Sequence, residues 1–299
     1  MKITMERCRQ IFGNPGLPGE IHEHQFDDFN AELQQMARKR QEDITLDDLS
    51  YYVHDLAYVD LQKDLFEYLF PVCLFHWYQA LMRNESCEWG PEFHYAVHEG
   101  HLLERMVTAS QREAICQLFH DGLIERIEAE RGFVYRDSKT PAYAWMFRFN
   151  SLGQVVPVIE RIWQTWWKLD SPGKAVSAIM YATGLIYLNH EHDNPIFSPW
   201  IPDKGGGGPY LAESDSHIFE DGWLAENLEF MRRALNYDYF QSKVEHAARI
   251  LKGEPEGELA ERVARDMVVR KMLVIRRIPD LLSELENPLD GSYSMEVYL

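Results

Sequence analysis

The stretch FHYAVHEGHLLE, residues 93–104, holds three histidines and two carboxylates in twelve positions. On a helix turning about 100° per residue, His94, His98 and His101 fall within about 60° of one another. Imidazoles so grouped are the usual makings of a transition-metal face. The axial rise argues against it. His94 and His101 would lie roughly 10 Å apart along the axis, whereas a Zn–N bond is about 2.1 Å. At most one neighbouring pair could serve an ion, with further ligands from elsewhere. Nor is the stretch H-E-x-x-H, because His101 arrives one residue too early after Glu99. The expected role is a polar helix face whose histidines hydrogen-bond to neighbours.

A second candidate is LIYLNHEHDN, residues 185–194. An apolar run that delivers H-x-H resembles the way metal-dependent hydrolases present ligands at a strand end. His190, His192 and Asp193, joined by a distant His217, would form such a site. Asp193 follows His192 directly, however, and the binuclear metallo-hydrolase pattern places its Asp later, with another His after it. The competing expectation is a helix C-terminus whose imidazoles meet the dipole and the free carbonyls. IHEHQ, residues 21–25, reads as surface. No G-x-S-x-G is present. The run Gly205–Gly208 follows Lys204, the reverse of the order a phosphate-binding loop needs. Trp163, Trp166 and Trp167 could stack bases, but in a helical, acidic chain they are expected to pack a core. No cofactor is expected.

Charge says more than the motifs. The net charge is −18, from 48 acidic and 30 basic residues. That disfavours nucleic acid as a partner, because phosphate contacts need clustered Lys and Arg. Residues 20–67 hold 13 acids and 4 bases, half of the excess in about a sixth of the length. Clustered carboxylates of this kind steer a basic partner and raise its on-rate. The candidate partner-binding acids are Asp27, Asp28, Glu32, Asp43, Asp47 and Asp48. A second group, Trp200, Tyr210, Glu213 and Asp215, mixes aromatic anchors with charge. The competing explanation is helix N-terminal charge matched to dipoles on a solvated face.

The elements that would position these residues read as helices. Phe26–Gln41 forms a polar helix. Thr45 caps a helix whose Leu49, Val53, Leu56 and Tyr58 share the core spacing. Leu61–Met82 continues the pattern until Pro71, which is expected to break or kink it. Ser110 and Glu113 suggest a capping box for a helix reaching Glu130. Arg131–Asn150 reads as a loop or small hairpin around Pro141. Ile159, Ile162, Trp163 and Trp166 resume the helical period. Lys174–Leu188 is apolar all round and belongs at a centre. Residues 189–217 form a long irregular loop. Helices follow over 224–235, 237–252 and 259–278. The expected fold is mainly α, one compact multi-helix domain over 1–299, with 20–130 and 151–299 as possible subdomains. The four cysteines show no C-x-x-C pairing, and Cys73 and Cys116 read as buried. No stretch has the apolar length of a signal peptide or membrane span, so the expected location is the cytoplasm.

Two stretches, DLQKDLFEYLFPVCL at 60–74 and MVTASQREAICQLF at 106–119, resemble a group of acidic, helical bacterial proteins. Some of these look like immunity proteins that neutralise toxins exchanged between competing bacteria. The resemblance spans about residues 45–130 and involves a proline-containing helix followed by a capped helix, with no catalytic residues. It implies an intracellular binding protein that occludes a cognate toxin domain. The alternative is a metal-dependent hydrolase on His190, His192 and Asp193.

Overall fold

The computed structural model of the chain describes residues 2–25, 29–83, 89–133, 141–187 and 222–287. Among them are fourteen α-helices and one short 3-10 helix, with no strand. The mainly α expectation is met. The chain divides into two compact units, Met1–Gly122 and Leu123–Leu299. Among the described residues no helix is long and apolar enough to cross a membrane.

Unit 1 is built on helix α4 (Lys63–Met82), which buries residues on every side. Pro71 sits inside α4 without ending it, so of the two expected outcomes, break or kink, the break does not occur. A mid-helix proline costs about 3 kcal/mol, and the burial of both halves of a twenty-residue helix outweighs that. Helix α1 (Met5–Ile11) packs on α4, with the Phe12 ring edge-on to Phe66 and Phe70. Helix α2 (Asn30–Met36) is shorter than the expected 26–41 and turns only Leu33 and Met36 inward. Helix α3 (Leu46–Asp55) begins with a complete capping box between Thr45 and Asp48. Helices α5 (Trp89–Glu99), α6 (Leu102–Arg105) and α7 (Ala109–Glu128) complete the unit, whose boundary falls within α7. The α7 cap lies at Thr108 rather than Ser110. Thr108 Oγ1 accepts from the Gln111 N–H and Gln111 Oε1 from the Thr108 N–H.

Unit 2 centres on helix α10 (Pro172–Ile186), buried from Gly173 to Ile186. Around it pack α8 (Pro141–Val155), α12 (Tyr237–Ile250), α13 (Gly257–Val269) and α14 (Lys271–Glu286). The hairpin expected near Pro141 is instead the start of α8. Proline is well suited to the first helical position, where its missing N–H would be unpaired anyway. The helix expected over 259–278 is two, since α13 ends at Val269 and α14 begins at Lys271. Helices α9 (Ile159–Trp166) and α11 (Ala225–Ala234) pack together. Asn227 ties them to α8 by donating to the Gly153 and Val156 carbonyls at 2.9 and 2.7 Å. Trp145, Trp163, Trp166 and Trp167 are buried in this unit, as core packing requires.

Candidate binding face

Helix α3 has two opposed stripes. Leu49, Val53 and Leu56 turn inward and are fully buried. At about 100° per residue, Asp47, Tyr51, His54 and Tyr58 lie on the opposite side. Tyr51 is 46% and Tyr58 49% exposed. Tyr58 therefore belongs to the outer stripe and not to the core spacing assigned to it from the sequence. It sits just past the helix end, where its N–H still bonds the Asp55 carbonyl at 2.9 Å.

The exposed rings are held from behind. Phe29, at the start of α2, stacks on Tyr51 with ring centroids 3.5 Å apart. The Tyr58 and Tyr95 hydroxyls are 2.8 Å apart, and the His54 ring lies 5.2 Å from that of Tyr58. Half-exposed aromatic rings with fixed neighbours lose little rotamer freedom on binding, which makes them effective anchors. Their electron-rich faces accept Arg or Lys.

The nearby acids divide into paired and open ones. Glu42 accepts from Arg9 at 2.7 Å, Asp43 from Arg40 at 2.8 Å and Asp48 from Lys39 at 2.6 Å. Burial alone would push the Asp48 carboxyl up. Hydrogen bonds from Lys39 and from the Thr45 backbone and hydroxyl overcome it and hold it below the usual carboxylate range. The hydrogen bond from Arg40 holds Asp43 low as well. Glu32 and Asp47 are exposed and have no ion-pair partner among the described residues. The anionic coat read from composition is thus partly matched inside the unit. The open acids of the described segment 29–48 are these two. Asp27, Asp28, Trp200, Tyr210, Glu213 and Asp215 lie outside the described residues, as do His190, His192, Asp193 and His217.

Sequence reasoning missed Phe29, Tyr51 and Tyr95. The available signal was the spacing of Asp47, Tyr51, His54 and Tyr58, a second helical stripe running opposite Leu49, Val53 and Leu56.

The histidine-rich helix has another purpose. His94 is fully buried, and its Nε2 accepts the Trp77 indole N–H at 2.8 Å. It packs against Phe119 as well. His94 thus belongs to the core rather than to a polar face. His98 Nε2 lies 3.8 Å from Glu99 Oε1. His101 leaves the helix with φ +48° and caps α6, so the three imidazoles do not share one helix. No group of three or more His, Cys, Asp or Glu among the described residues is arranged to hold a metal.

IHEHQ is also not simply surface. His22 and His24 are exposed while Glu23 and Gln25 are buried. Glu23 Oε2 accepts from the Gln62 N–H at 2.7 Å, and the Gln62 side chain returns a bond to the Glu20 carbonyl at 3.0 Å. Burial pushes the Glu23 carboxyl up to about 7, opposed by the Gln62 N–H and assisted by the Asp55 charge.

Comparison of the chain with protein-family models, with curated proteins and with solved structures finds no match.

Proposed function

We propose that this chain is a binding protein that docks a basic protein partner on the outer face of α3. The observation that supports this best is the pair Tyr51 and Tyr58, each half exposed on one side of α3 and braced by Phe29 and Tyr95. Aromatic anchors beside open acids suit a partner rich in Arg, whose guanidinium stacks on rings and pairs with carboxylates. Glu32 and Asp47 supply the acids.

In the reading implied by the resemblance to immunity proteins, the partner is a cognate toxin domain and the chain acts by covering its active surface. A tight complex of this kind buries about 1,200–2,000 Å². The acids and aromatics at 200–215, read from the sequence, are a second proposed partner contact. Co-expression with the product of an adjacent toxin-like gene, followed by co-purification, tests the reading. The intact chain should protect the host and co-purify, and an Asp47→Lys, Tyr51→Ala, Tyr58→Ala variant should do neither while keeping its fold. Equal protection by the variant would remove the α3 face from the interaction. A stoichiometric transition metal in untagged protein, lost on His190→Ala, would favour the hydrolase reading instead.

A further inference from the structure

Unit 2 contains an open cleft of about 260 Å³ where α9, α11 and α12 meet. Its walls are Trp163, Trp167, Phe230 and Tyr239, and Lys168 and Lys243 are its charged groups. Trp163 and Trp167 stack with centroids 4.8 Å apart. The Trp163 indole N–H donates to the Tyr239 hydroxyl at 3.0 Å, which fixes one wall against another. Lys243 donates to the Trp167 carbonyl at 2.5 Å and stands 5.7 Å from the centre of the Tyr239 ring.

Three features separate this cleft from ordinary surface relief. No acidic residue among the described ones lines it, although the chain is strongly acidic. Lys243 uses one of its three N–H donors in the bond to Trp167, and an ammonium can offer the others. Burial pushes that ammonium below the usual lysine range, a strain that a bound anion would relieve. Apolar, aromatic walls with a few placed donors are the usual composition of a small-molecule site.

We propose that the cleft binds a small aromatic carboxylate, its ring against the Phe230 and Tyr239 side of the cleft and its carboxylate on Lys243. Two ammonium groups, with no acid among the described lining residues, reject a cation. The open cleft of about 260 Å³ suits one or two fused rings. This proposal is independent of the α3 face, which belongs to the other unit.

The test is isothermal titration of the full chain with 2-naphthoate and with its neutral isostere 2-naphthamide. Saturable one-to-one binding of naphthoate is expected, with the amide about tenfold weaker or more, as loss of one charge-assisted hydrogen bond requires. Lys243→Met should weaken naphthoate by a similar factor and leave the amide unchanged. Ala234→Phe, which adds bulk at a residue lining the cleft, should abolish binding of both. Absence of saturable naphthoate binding up to about 1 mM, a weak affinity on any scale, overturns the proposal. So does equal affinity for acid and amide, or naphthoate binding that survives Ala234→Phe. Thermal melts of both variants confirm that losses of binding are not losses of fold.

Discussion

The hydroxyls of Tyr58 and Tyr95 meet at 2.8 Å, one from the turn after α3 and the other from α5. Because α3 and α5 pack together, this bond holds a half-exposed ring in one orientation. A braced ring loses less entropy on binding than a free one. Tyr95→Phe deletes the bond but keeps the ring. It should change stability by no more than about 0.5 kcal/mol, as surface substitutions do, and still weaken partner binding measurably by titration. Tyr58→Ala removes the anchor and should weaken binding by about 2 kcal/mol or more.

Glu23 makes unit 1 sensitive to pH. Its folded carboxyl is pushed up to about 7 by burial, from an ordinary 4.5. A folded acid with a raised pKa holds its proton where the unfolded chain has released it. Its stabilising contribution is therefore complete below about pH 4.5 and is lost as pH rises through 7. The size is on the order of 3 kcal/mol. His76, pushed low by burial, works in the opposite direction, since stability from a neutral buried imidazole is lost as pH falls through the ordinary histidine range. The difference between the wild type and Glu23→Gln isolates Glu23. Denaturant melts at pH 5 and pH 8 should show the Gln variant gaining on the wild type at the higher pH. Parallel pH profiles would contradict the assignment.

Gly100 permits a close approach. A Cβ there would lie 2.5 Å from the Leu56 carbonyl oxygen and 2.7 Å from that of Ala96. Both neighbours are backbone, so they cannot swing aside. Gly100→Ala should destabilise the protein by about 1–3 kcal/mol, read as a lower urea midpoint with an unchanged slope.

Arg126 and Glu130 form an ion pair at 3.0 Å with side chains only 5% and 2% exposed. Glu130 also accepts the Trp145 indole N–H at 3.1 Å. Removing one partner leaves a buried charge. Glu130→Ala should cost about 3–5 kcal/mol, whereas Arg126→Met with Glu130→Leu should recover at least part of that loss. A double variant less stable than Glu130→Ala would mean that the pair is net stabilising in its own right.

Several features were legible in the sequence because they are local. The Thr45 cap, the inward stripe of α3 and the apolar run of α10 follow from residue type and spacing within one helix. Other features needed neighbours far along the chain. Nothing in residues 93–104 says that His94 will accept a hydrogen bond from Trp77, and nothing in 21–25 says that Glu23 will be buried and bonded to the Gln62 N–H. The acids near residue 45 look like an undivided anionic segment until Arg9, Lys39 and Arg40 are seen against them.

The sequence alone determined that this protein is helical, where most of its helices lie and that it has a large acidic excess, because helical period, capping and charge are properties of short stretches. Only the tertiary structure decided which tyrosines face outward with support, which acids remain open and which lysine stands beside an aromatic cleft. Those outcomes depend on burial and on pairing between distant residues, and both are settled by packing rather than by spacing along the chain.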